Sequence, residues 1–296
     1  MTIHRTAIVH QDARIEASVS VGPYCVVGPN VFIGAGTTLE SHVVIERNTR
    51  IGEGCHIFSH AVLGSDPQDM KYDGAPTYAE IGDRCVLREF VTINRGSFEG
   101  STTRVGEGSM LMTGVHLAHD CNVGSKVIMA NCATLAGFVT IGDRAVVGGL
   151  AAFHQFVRVG RLAMVGGTAG VMQDVPPYCM VQGSPPATLR GLNRIGMVRN
   201  GATEQSFIGV KQAYRLMFRR GMTKENALSE IEASVPKTPE VMAFIDFLKA
   251  PTKRGIAKGE PVEDTLSVVE QPDIAAMEQR IAGLESRIRG FESEAL

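Results

Sequence analysis

Tryptophan is absent from this 296-residue chain, and aromatic residues make up only 6% of it. A core with so few large rings must be filled by small and aliphatic side chains, which suits a narrow solenoid better than a wide globular body. An excess of one charge is missing too: 29 Lys and Arg stand against 31 Asp and Glu, a formal net charge of −2. A nucleic-acid scaffold would carry a basic excess, so no nucleic-acid partner is expected. No run of about 18 apolar residues occurs, so no transmembrane segment is expected. The opening MTIHRTAIVHQDAR lacks the apolar core of an export signal, and the expected location is cytoplasmic. Six cysteines are present without a single CxxC pair, which argues against a disulfide or zinc framework.

What the chain does have is glycine, 33 residues of it, and a period of six. Every sixth residue from Ile3 reads Val9, Ile15, Val21, Val27, Ile33, Leu39, Ile45, Ile51, Ile57 and Leu63. The series resumes at Ile81, Leu87 and Ile93, then runs from Val105 to Val171, with only Met129 and Phe153 departing from Val, Ile or Leu. The fifth position of each hexad is small: Ala, Val, Cys, Ser or Thr, with Pro67 the exception. It lies two residues before the next aliphatic one, so both face the same side of an extended strand. Three hexads, about 18 residues, would form one turn of a triangular parallel β-helix. Cys25, Cys55, Cys85 and Cys121 sit at the small position and read as buried small hydrophobes. Glycine follows the aliphatic residue at Gly22, Gly28, Gly34, Gly52, Gly124 and Gly142, where a tight corner is expected to need a permissive backbone.

The repeat is interrupted twice without losing phase, at residues 69–80 and around Glu99–Arg104. Loops inserted in a rigid solenoid tend to carry function. The first is expected to do so, and the second to be a passive surface loop. Pro176, Pro177, Pro185 and Pro186 close the solenoid. Residues 204–220 then place Phe207, Val210, Tyr214, Met217 and Phe218 at helical spacing, with Gly221 as a stop and Thr223 as the next start. A further helix is expected over 239–249, and a helical cap would cover the open strand edges. The expected domains are therefore a β-helix over 1–182, a helical cap over 183–250, and a linker with a short heptad helix over 251–296.

In such a coil, residues about 18 apart stack at ~4.8 Å. His119, Gly137 and Gln155 form one ladder; Asp120, Phe138 and Phe156 form its neighbour. An imidazole beside a glycine backbone and an amide provides a base, an N–H for a developing anion and a polar orienter. Stacked surface residues with no chemistry would read the same way.

The stretches PQDMKYDGAPT, HLAHDCNVGS, ANCATLAGFVTIGD, AFHQFVRVG, QDVPPY and GLNRIG resemble the UDP-N-acetylglucosamine O-acyltransferase family, in order, over roughly residues 3–249. The resemblance implies a left-handed parallel β-helix with a C-terminal α-helical domain, assembled as a homotrimer with active sites between subunits. It implies transfer of a 3-hydroxyacyl chain from acyl carrier protein to the 3-position of a UDP-sugar, the first step of lipid A biosynthesis, with no cofactor. Position by position, it makes His119 the general base, Asp120 its support and Gly137 the oxyanion donor. Gln68, Asp69, Lys71, His116, His154 and Gln155 become substrate contacts, Asn193 and Arg199 nucleotide contacts, and Gly167 the floor of the acyl pocket. Phe138 departs from the histidine of better-known members, and Ile195 and Asn200 from polar or basic residues. Other readings are an N-acyltransferase on a 3-amino sugar nucleotide, a zinc-dependent carbonic-anhydrase-like enzyme using His116, His119 and His154, and a non-catalytic scaffold.

Overall fold

The structure, a computed structural model, describes residues 2–259. The heptad helix and most of the expected linker lie outside the described residues. Every aliphatic residue of the hexad series falls in a short parallel strand, from Thr2–Ile3 to Gly170–Val171. The strands wind as a left-handed parallel β-helix. Its three faces carry eleven, nine and eight strands. Register follows the coil: Ile128 pairs with Val146 and His116 with Thr134, 18 residues on. The aliphatic and small positions fill the interior together. Ile33, Leu63 and Leu135 are fully buried, as are Cys25, Cys85 and Cys121 (0%), with Cys55 at 1%. Burial pushes the Cys121 thiol up to about 12, which leaves it an inert filler.

The corners work differently from the expectation. The backbone enters the left-handed region three residues after the aliphatic position, and there mostly at non-glycine residues: φ is +56° at Asn30, +59° at Asp120 and +61° at Phe138. The glycines serve close packing instead. A Cβ on Gly142 would lie 2.4 Å from the Arg161 nitrogen of the next coil, and one on Gly22 2.8 Å from the Glu40 carbonyl carbon.

Both insertions leave the coil at the same corner, between the nine-strand and eight-strand faces. Across them the paired residue lies 30 on (His56 with Val86) and 24 on (Val86 with Met110) instead of 18. They therefore add twelve and six residues without shifting the phase. Strand Val62–Ser65 leads into the first and strand Thr92–Asn94 into the second.

Beyond the coil, strand Cys179–Gln182 continues the first face and turns antiparallel into Thr188–Leu192. Four helices follow among the described residues: α1 Arg194–Arg199, α2 Glu204–Arg219, α3 Lys224–Ser234 and α4 Pro239–Lys249. Thr203, Thr223 and Thr238 cap the last three, each hydroxyl accepting an N–H three residues on. Val210, Tyr214, Phe244 and Leu248 are buried among them. Residues 251–259, in the stretch read as linker, lie back along the solenoid. Asp174 N–H donates to Gly255 O, Ala257 N–H to Asp174 O and Leu189 N–H to Lys258 O.

Candidate active site

His119 stands at the corner that carries both insertions, just after strand His116–Leu117. Its ladder is in register: Phe138 N–H donates to His119 O at 3.0 Å, and Phe156 N–H to Gly137 O at 3.1 Å. The imidazole lies flat against Gly137. A Cβ there would meet Nε2 at 2.6 Å and Cε1 at 2.5 Å. The winding leaves the N–H of the residue after the glycine position outside the ladder. Aspartate side chains take it at Glu53 and Ser125. Among the described residues nothing accepts from the Gly137 N–H.

His119 Nδ1 lies 2.8 Å from Asp120 Oδ2. Their side chains are 8% and 5% exposed, so the pair is buried within one chain rather than set on an open surface. Because an ionised carboxylate only accepts, this contact places the proton on Nδ1 and leaves Nε2 with its lone pair free. Thr103 Oγ1 accepts from the Asp120 N–H at 2.8 Å. The second insertion, expected to be passive, supports the pair directly. Ser97 donates to the Asp120 carboxylate from both its hydroxyl (2.7 Å) and its N–H (3.1 Å). Arg95, 1% exposed, reaches the other way. Its guanidinium donates to Gly64 O, the Asp66 carboxylate and Thr77 Oγ1, clasping the ends of the first insertion.

A groove of roughly 940 Å³ opens beside the imidazole. Gln68, Asp69 and Lys71 of the first insertion line one side; His116, His119, Gly137 and Gln155 line the other. The exposed Lys71 ammonium has no ion-pair partner among the described residues. His116 Nδ1 is 2.7 Å from Thr92 Oγ1, and burial holds its pKa below the ordinary value.

The remaining predicted residues lie elsewhere in the chain. His154 does not line the groove; its Nδ1 is 3.2 Å from Gln155 O. Gly167 sits at another corner, beneath Gly149. Asn193 caps α1, its Oδ1 accepting from Gly196 N–H and its Nδ2 donating to Leu162 O. Arg199 is exposed in the last turn of α1, and Asn200 accepts from Arg144. No three His, Cys, Asp or Glu side chains converge as a metal site among the described residues, so His116, His119 and His154 do not form a ligand set within one chain. Sequence reasoning missed Thr92, Arg95, Ser97 and Thr103. Counting hexads in threes would have put both insertions on the His119 corner.

Coil, corner and His–Asp pair together define a hexapeptide-repeat transferase. Family models agree: residues 24–59 match the bacterial transferase hexapeptide repeat, and residues 174–257 match domain 2 of UDP-N-acetylglucosamine O-acyltransferase. A curated relative from Thermodesulfovibrio yellowstonii, named acyl-[acyl-carrier-protein]–UDP-N-acetylglucosamine O-acyltransferase, is 46% identical over 86% of this chain and 99% of its own length. The solved UDP-N-acetylglucosamine O-acyltransferase of Moraxella catarrhalis aligns with a TM-score of 0.84 at 43% identity, covering 87% of this chain and all of that one. The Francisella novicida acyltransferase aligns at 0.85 with 36% identity, over 91% of this chain and all of its own. The chain belongs to the UDP-N-acetylglucosamine O-acyltransferase family.

Proposed function

We infer that this enzyme moves a 3-hydroxyacyl chain from an acyl-carrier-protein thioester to the 3-hydroxyl of UDP-N-acetylglucosamine, opening lipid A biosynthesis. The observation that carries the mechanism is the buried His119–Asp120 pair facing a free Gly137 N–H in one groove. His119 Nε2 takes the proton of the sugar hydroxyl as its oxygen attacks the thioester carbonyl. The C–O bond forms, and the Gly137 N–H donates to the resulting oxyanion. The C–S bond then breaks, and the imidazolium returns its proton to the leaving thiolate. Asp120 holds the tautomer and offsets the charge on the ring. No cofactor enters these steps. Lys71, a free cation on the groove wall, suits the phosphates of a nucleotide sugar.

Gly167, Asn193 and Arg199 lie apart from the groove of their own chain. A symmetric homotrimer with sites between subunits accounts for them, the neighbouring copy supplying acyl floor and nucleotide contacts. No helix among the described residues is long and apolar enough to cross a membrane. A cytoplasmic location is the one that the two substrates of this reading, an acyl-carrier-protein thioester and a nucleotide sugar, call for.

The test is mass spectrometry of products from a panel of acyl-carrier-protein thioesters, offered UDP-N-acetylglucosamine and its 3-amino counterpart. An ester product on the first acceptor is expected. Product only from the amino sugar would transfer the reading to an N-acyltransferase.

A further inference from the structure

Ser97 belongs to none of the stretches that resemble the family, does not line the groove, and makes the shortest contact to the Asp120 carboxylate. We propose that Ser97 is a positioning residue: its hydroxyl and backbone N–H fix the Asp120 carboxylate so that Oδ2 faces His119 Nδ1. The inference rests on His119 as the base.

Three observations carry it. First, the contacts converge on one oxygen. Asp120 Oδ2 receives the Ser97 hydroxyl at 2.7 Å, the Ser97 N–H at 3.1 Å and His119 Nδ1 at 2.8 Å, while among the described residues Oδ1 has only the Ser97 N–H at 3.3 Å. A carboxylate 5% exposed has little water to fall back on, so these donors set its orientation. Second, the loop is stiff. Ser101 N–H donates to Phe98 O, Phe98 N–H to Ser101 Oγ, and Gly96 N–H to Tyr78 O. A Cβ on Gly96 would fall 2.6 Å from the Ser101 backbone, so the segment has no slack. Third, the next-but-one residue back is the buried Arg95, whose guanidinium is anchored in the first insertion. Arg95 and Ser97 thus register the loop bearing Asp69 and Lys71 against the imidazole. Ser97 touches no groove surface, so its influence on the reaction passes through Asp120.

The experiment is steady-state kinetics and melting on Ser97→Ala, Ser97→Thr, Asp120→Asn and the Ser97→Ala/Asp120→Asn double variant of the full chain. The alanine variant keeps the backbone bond and loses the hydroxyl, so kcat should fall about 5- to 30-fold with KM for the sugar nucleotide within about twofold. Threonine, which restores the hydroxyl, should bring kcat back to within about threefold. In the Asp120→Asn background the serine substitution should cost nothing further, because there is no carboxylate left to orient. A Ser97→Ala variant at wild-type kcat, or one that costs the same factor in both backgrounds, overturns the proposal. If Asp120→Asn and His119→Ala themselves keep wild-type turnover, the base assignment falls as well. If those two are crippled and Ser97→Ala is not, only the Ser97 role is lost.

Discussion

The His119 imidazole occupies the space that a Cβ on Gly137 would fill, with Cε1 2.5 Å from that position. Glycine is thus required at 137 by packing before any chemistry is considered. Gly137→Ala keeps the N–H and displaces the ring, which separates the two reasons for the glycine. Turnover should fall at least about 100-fold, the scale of losing a positioned base, and the melting temperature should drop. Near-normal turnover in that variant would show that the ring can shift without penalty.

His119→Ala should lower kcat by about 10²–10⁴-fold. Because the residue is 6% exposed in a single chain, the substitution also opens a cavity and strips Asp120 of one partner. A surface histidine would leave stability untouched; this one should cost about 1–3 kcal/mol, seen as a melting shift of several degrees. A residual rate of a tenth or more would remove His119 from the base role.

The solenoid is legible because one residue in six decides it. The ladder of His119, Gly137 and Gln155 follows from the coil length alone, and Thr223 marks a helix start by capping chemistry. The parts that stayed hidden rest on interactions without a side-chain period. Residues 251–259 are polar and rich in Pro, Gly and Lys, which reads as linker, yet backbone hydrogen bonds to Asp174 and Leu189 hold them. Ser97 reaches Asp120 through a six-residue insertion whose path no periodicity describes. Asn193 matches a nucleotide contact by resemblance, but its side chain is spent on capping α1 and on Leu162 O.

Burial holds the His116 imidazole below its ordinary pKa. In the unfolded chain the ring titrates near about 6.5. Below that pH the unfolded state takes up a proton that the folded state resists, so stability falls as pH drops through that window. His116→Gln removes the titration and retains a polar atom for Thr92. Its melting temperature should fall less than wild type between about pH 7.5 and 5.5. An equal fall in both would mean that other groups set the acid limit.

Deleting residues 260–296 should leave turnover unchanged and lower the melting temperature only modestly. Deleting residues 251–296 should do much more. It removes the partners of the Asp174 N–H and carbonyl, of Leu189 N–H and of Met172 O, and the Lys253 ammonium 4.0 Å from the Phe156 ring. Each unpaired buried backbone group costs about 1–3 kcal/mol, and Asp174 is fully buried. Thermal scans and activity on the two truncations decide it; equal behaviour would return residues 251–259 to the status of a linker.

Phe138, where the resemblance leads one to expect histidine, packs against the edge of His119 rather than lining the groove. Its ring stacks on Phe156 at 4.9 Å and parallel to Phe98 at 6.4 Å, and it meets His119 edge-on at 5.3 Å. It is not among the residues lining the groove. Within one chain, then, the ring has no direct geometric route to acceptor choice. Phe138→His keeps an aromatic plane in the stack but sets polar nitrogens between two phenyl rings. That should cost about 1–2 kcal/mol of stability, the lost aromatic pairing plus part of a desolvation penalty. Both kcat and KM for the sugar nucleotide should stay within about threefold, because His119, Asp120 and Gly137 keep their places. Phe138→Ala is the contrasting case. It removes the edge that confines the imidazole, so kcat should fall about tenfold, the equivalent of about 1.4 kcal/mol in the barrier. Steady-state constants for both variants, measured with hydroxyl and amino acceptors, test this. A Phe138→His enzyme with a large change in KM for one acceptor would put the ring in contact with substrate after all.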